Sequence, residues 1–217
     1  MTLRFDIKPD EAALEEAKAL FKFVGGNSRQ AKRVAINRTG RNVQSLSNSK
    51  IRERANLRVA FINRKLEFRR ATNVRLVGRI KVESRGLLTS RYSTDPLISG
   101  DKFRWIYPPP VPPRGIRVKI KPKGGTKLFS GGNEIVGQPF YMVLRGSKKK
   151  GPGPVAIVGR RKTPGPKGGK IKVFFSPSVS QLFNSVRKQV LPEAANIYTQ
   201  EMIRAMRFLL TKRYPTE

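Results

Sequence analysis

Charge restricts the folding of this chain more than any other feature. Lys and Arg number 46, Asp and Glu only 14, and the formal net charge is +32 over 217 residues. The excess is also unevenly placed. Residues 1–26 and 193–217 are close to neutral, whereas residues 27–192 hold 38 basic residues against six acidic ones. Self-repulsion on that scale disfavours a compact isolated state, and an anionic neighbour relieves it. Nucleic acid is the first such neighbour, an acidic protein surface the second and anionic lipid a distant third. Apolar residues make up 38% of the chain, below the globular average of roughly 45–50%. The core is therefore thin for the length, and some of the chain is expected in loops or in surfaces ordered by neighbouring subunits.

Composition also removes several chemistries. There is no Cys and no His, so disulfides, thiolate nucleophiles and His-based metal sites are excluded. The six acidic residues of the basic stretch, Glu53, Glu67, Glu83, Asp95, Asp101 and Glu134, are scattered without the spacing of a metal-dependent nuclease. The Gly-rich stretches lack the GxxxxGK[ST] pattern and its strand-to-helix setting. No catalytic residues, cofactor site or metal site are expected, and the chain is not expected to be an enzyme. No apolar run approaches the roughly 18 residues that span a bilayer. The N-terminal residues lack a basic head followed by an apolar run. The expectation is a chain that keeps clear of membranes and is assembled in cytoplasm.

Periodicity predicts an α+β fold: N-terminal helices, a central antiparallel β-sheet and a C-terminal helix packed on it. A single domain over 1–217 is expected, helical over 1–72, sheet over 73–176, and helical again over 177–213. Leu14, Ala17, Phe21 and Val24 mark one face of a helix over 10–24. A second helix is predicted over 27–46, weakened by Gly40 by about 1 kcal/mol relative to Ala. Ser47, Asn48 and Ser49 read as a break before a short helix over 50–56, and Val59, Ile62 and Leu66 continue helically. The period becomes two over 74–83, predicting a strand with one charged face. Further strands are predicted over 116–121, where Ile116, Val118 and Ile120 alternate with basic residues, and over 140–144, 155–158 and 171–175, for about four or five in all. In the last segment Val179, Leu182, Phe183, Val186 and Val190 form a helical stripe. Ala195, Tyr198, Met202, Met206 and Leu209 resume it after Pro192, which either kinks one helix or opens a second.

Three loops are candidates for partners. Residues 86–115 contain Trp105 and the run from Pro108 to Pro113, which favours a stiff extended loop. Two Gly/Pro-rich loops carry Lys148, Lys149 and Lys150, and Arg160, Arg161 and Lys162. These six are the candidate contacts to DNA phosphates or to acidic protein faces, which charge alone does not separate. Trp105, Pro109, Met202, Met206 and Leu209 are candidate oligomer contacts.

Several segments resemble the prophage minor tail protein Z family. The stretch from Ala31 to Val43, AKRVAINRTGRNV, resembles that family's Ala-Ile-Asn-Arg-Thr core. IRERANL at 51–57, LEFRRAT at 66–72 and GRIKV at 78–82 follow in order, and PSVSQLF at 177–183 resembles the entry to the family's last helix. The segment 86–115 is longer than the resemblance leads one to expect. The resemblance implies a structural virion protein of a long-tailed phage, acting late in tail assembly at the head-proximal end, or neck. It implies a homo-oligomeric ring, most simply hexameric, beside tail terminator, tail tube or connector proteins, with phage DNA nearby. The rival reading of the same charge is a ribosomal or other sequence-nonspecific RNA- or DNA-binding protein.

Overall fold

The computed structural model describes residues 2–3, 28–95, 97–98, 104–130, 132–144, 151–164 and 169–213. The helix expected over 10–24 lies outside the described residues. The order is β1 (Thr2–Leu3), α1 (Ser28–Arg54), α2 (Val59–Lys65), β2 (Leu66–Arg69), β3 (Arg79–Val82), β4 (Leu87–Leu88) and a 3-10 turn (Thr89–Tyr92). Then come β5 (Arg104–Trp105), β6 (Arg117–Val118), β7 (Lys127–Leu128), β8 (Ile135–Val143), β9 (Gly153–Arg161), β10 (Ile171–Val173), β11 (Phe175–Ser176) and α3 (Val179–Arg213). The class is α+β, and the described strand pairs are antiparallel. The strands are divided among four small sheets rather than gathered into one. The chain forms two compact units. One comprises Met1–Ile51, Val59–Ser84 and Val179–Glu217, the other Arg52–Arg58 and Arg85–Ser178.

In the first unit, α1 and α3 share a core. Ala31 and Ala35 are buried with Met202, Ala205 and Met206, and Val34, Tyr198, Leu209 and Leu210 pack around them. The three alanines allow close approach, and the flexible Met side chains fill the space left. Helix α1 does not stop at Ser47. Ser47 Oγ donates to the carbonyl of Val43 at 2.6 Å. Asn48 Nδ2 donates to the Val59 carbonyl at 3.1 Å and to Asn63 Oδ1 at 2.6 Å. Ser47 thus bonds back within the helix and Asn48 outside it, so neither caps a helix end, and the helix expected to start anew at Lys50 is its continuation. Helix α3 likewise runs unbroken through Pro192, which is exposed. Of the two readings of that proline, a second helix is ruled out.

The three-stranded sheet of this unit has the order β1-β3-β2. The strand predicted over 74–83 shortens to Arg79–Val82. Its partner β2 ends where Arg69 faces Arg79, so residues 74–78 have no ladder to join. They begin instead with a turn in which Arg75 N–H donates to Thr72 Oγ1 at 3.0 Å, and Val74 is 94% exposed.

Strand β9 organises the second unit. It pairs with β8 along most of its length, with β10 near its end and with β5 at its start. Val155, Ala156, Ile157 and Val158 are all fully buried, the continuous apolar run of a strand covered on both faces. The β8–β9 register shifts between Val136 and Phe140. Gly137, with φ +71, and Pro139 occupy this bulge, where a strand tolerates them. Residues 86–115 are only partly a free loop. β4 pairs with β11, β5 with β9, and Ser93 bridges to Val118. Backbone groups near a core require such partners, which the proline content of the segment does not reveal.

Gly40 lies inside α1 for a steric reason. A Cβ there would stand 2.1 Å from two atoms of the Phe68 ring. Gly40→Ala should therefore lower stability by about 1–3 kcal/mol through overpacking, despite the better helix propensity of Ala. Chemical denaturation of G40A, F68A and the double variant checks this: the penalty of G40A should vanish when Phe68 is already truncated.

Candidate assembly and anionic-partner surface

The basic residues chosen from the sequence are placed unequally. Lys148, Lys149 and Lys150 lie outside the described residues. Arg160 and Arg161 are not in a flexible loop but in the last part of β9. Arg160 is exposed, between Val136 of β8 and Ile171 of β10 in the cross-strand row. Arg161 is half-buried, and its backbone N–H donates to the Lys170 carbonyl at 2.8 Å. Lys162 is exposed beyond the strand, with its backbone N–H donating to the Glu134 carbonyl at 3.0 Å. Glu134 pairs with Lys172, and the hydrogen bond and charge of that lysine hold its carboxyl below the usual range. The Arg160 side chain thus projects from a fixed ladder, flanked by exposed Val136 and Ile171, and exposed Lys162 follows just beyond the strand.

The apolar candidates are mostly covered within the chain. Met202 and Met206, named as oligomer contacts, are buried within the chain against Ala31 and Ala35. Leu209 packs beside that cluster, Trp105 is half-buried and Pro109 is buried. Their neighbours carry the exposure instead. Phe208 is 67% exposed, Tyr107 62% and Ile106 41%. Helical periodicity marks an apolar stripe but not which part of it another helix of the same chain will cover.

The described residues include one buried hydroxyl–carboxylate group that invites a catalytic reading. Ser93 Oγ lies 3.1 Å from Tyr141 OH, and Asp95 N–H donates to Ser93 Oγ at 3.1 Å. Burial pushes the Tyr141 phenol well above its usual range, outweighing the bond to Ser93 that lowers it, and the Asp95 charge adds to the rise. The two hydroxyls are held by one another, and the serine oxygen also accepts from the backbone of Asp95. The group fixes the turn after the 3-10 segment, where Leu97 N–H also donates to Asp95 Oδ1 at 2.9 Å.

The stretch from Ala35 to Gly40 gathers the first unit around itself. Ala35 lies in the helix–helix core. The Ile36 side chain lies beside Gly78, where a Cβ would stand 2.9 Å from it. Asn37 Nδ2 donates to the Ala71 carbonyl at 3.1 Å, and Ala71 N–H donates to Asn37 Oδ1 at 2.7 Å. Arg38 reaches Glu201 of α3, Thr39 is buried, and Gly40 receives Phe68. One helical segment thus engages the β2–β3 region and α3 together. A family model for prophage minor tail protein Z matches residues 11–213. This chain belongs to that family. It is a structural protein of the phage tail, and its place is in the virion. Comparison with curated proteins and with solved structures gives no match. The family resemblance at AINRTG and at LEFRRAT has a physical content, because Asn37 and Gly40 from the first meet Ala71 and Phe68 from the second.

Asn37 is the polar link of that arrangement. Asn37→Ala would leave both backbone groups of Ala71 without their partner, at a cost of about 1–3 kcal/mol. The measurement is a denaturation midpoint together with amide exchange at Ala71, which should quicken in N37A while exchange within β9 is unchanged.

Proposed function

We propose that this chain forms a homo-oligomeric ring, six-fold like the tail on which it acts, at the head-proximal end of a long tail. There it completes the tail and helps to join it to the head. Tail terminator, tail tube or connector proteins are its neighbours in that position, and its basic surface lies near the DNA. Family membership carries this reading. The charge supports the last part, since an excess of +32 is unfavourable for a subunit without an anionic neighbour. A ring needs two different surface patches that meet head to tail. Exposed Tyr107 and Ile106 in one unit and exposed Phe208 in the other are suited to supply them. The chain is a single domain in this reading, its two compact units acting as one subunit of the ring.

The DNA contacts in this reading are phosphate contacts, from Lys148, Lys149, Lys150, Arg160, Arg161 and Lys162, so they are indifferent to base sequence. The other partner for the same residues is an acidic face of a neighbouring tail protein. Changing all six to Gln separates the two. Expected is weaker duplex binding, with a log–log salt slope that falls by about 0.9 for each phosphate no longer neutralised. Unchanged affinity and slope combined with failed tail assembly would assign the residues to a protein partner. For the ring, Tyr107→Asp and Phe208→Asp should each yield tails that lack the protein while the purified variants stay folded. A subunit that is monomeric within the particle would overturn the oligomer.

A further inference from the structure

Helices α1 and α3 bring together a group of charges that their positions in the sequence keep apart. Glu201 of α3 is buried, its side chain 9% exposed. Arg38 Nη1 lies 3.4 Å from its Oε2 and Arg204 Nη1 lies 3.0 Å from its Oε1. Each carboxylate oxygen thus holds one guanidinium. Both arginine side chains remain largely in solvent, 58% exposed for Arg38 and 67% for Arg204. A guanidinium has five N–H donors in a rigid fork, so most donors of both residues stay available.

We propose that Arg38 and Arg204, held on the two oxygens of Glu201, form a clamp for one backbone phosphate of DNA. The charges call for such a ligand. Two guanidiniums and one carboxylate leave a single positive charge, which one phosphodiester neutralises. The carboxylate holds two like charges side by side before the ligand arrives, so the ordering cost of binding is already met in the folded protein. Arginine forks match the non-bridging oxygens of a phosphate. The surroundings favour a polyanion over an isolated carboxylate. Residues 28–41 of α1 carry Arg29, Lys32, Arg33, Arg38 and Arg41 with no acidic residue. On α3, Arg207 follows Arg204 by one turn and is exposed. Glu201, which meets Arg38 and Arg204, is buried. The clamp rests on the DNA reading of the basic surface and assigns it a site outside the six residues named above.

The test compares duplex binding across a salt series for the full chain and three variants. R38Q/R204Q removes the forks. R38Q/E201Q/R204Q does so without leaving a buried carboxylate unpaired, which keeps the comparison valid if the first variant folds poorly. R75Q/R117Q removes the same charge from exposed residues elsewhere. The first two should lose about 0.9 from the salt slope, one phosphate's worth, and bind roughly tenfold more weakly at moderate salt. The third should keep the slope. R38K/R204K, which keeps charge but not the fork, should bind more weakly than the parent. If the clamp variants and R75Q/R117Q behave alike, there is no clamp and only bulk charge acts. If the parent chain binds no duplex even at low salt, the DNA reading itself fails. If polyglutamate binds the parent as tightly as DNA does and loses as much in R38Q/R204Q, the site belongs to an acidic protein and the phosphate assignment falls.

Discussion

The first unit depends on the ring of Phe68 lying where two glycines leave room for it. Gly40 is in the middle of a helix and Gly78 just before a strand. A Cβ on either would stand 3.0 Å or less from that ring. Without side chains at these positions, β2 and the approach to β3 come close against α1. The Asn37 amide then closes a two-bond pair with the backbone of Ala71. Interiors are close-packed and deform little, so the packing of this ring sets the position of β2, of the turn at Thr72 and of the register in which Arg69 faces Arg79. The helix tolerates the poor propensity of Gly40 because the ring requires the space.

A chain this basic keeps a core by concentrating its apolar residues. β9 places four consecutive apolar side chains out of water, and α3 buries Val179, Phe183, Val186, Val190 and Ala194 along one face. Among the described residues, no Lys or Arg is buried. Glu201 of α3 is buried and receives two arginines, since a carboxylate removed from water without partners would be strongly unfavourable. This distribution suits a subunit whose surface is completed by neighbours. Its interior is made by a few strongly apolar segments, and its charge remains outside, where an assembly can balance it.

Much of the fold was legible as period and as composition. The stripe from Val179 onward, the helix after Ser28, the alternating segment at Ile80 and Val82 and the apolar run at Val155 each carry a local signal of the element that forms. The family signature was legible too, as a run of residues whose order mattered more than any one of them. What could not be read was the partner of each segment. Ser47 and Asn48 looked like a helix end because their side chains can cap one; in the fold they bond to Val43, Val59 and Asn63 and the helix continues. Residues 74–78 alternate as a strand does, yet β2 ends too soon to pair with them. Arg160 and Arg161 sat among glycines and prolines, but the strands on either side of β9 hold them in a ladder.

The candidate sites divide in the same way. The sequence by itself determined that the chain is strongly cationic, lacks thiol and imidazole chemistry, has an α+β pattern and resembles a tail protein. These follow from residue types and spacings, which a linear chain displays in full. Only the tertiary structure decided that Met202 and Met206 are covered by Ala31 and Ala35, that Phe208 is exposed, and that Arg38 and Arg204 share one carboxylate. Residues 38 and 201 are 163 positions apart, and nothing local to either encodes the other. Burial and charge pairing are properties of which surfaces meet, and they exist only once α1 and α3 have come together.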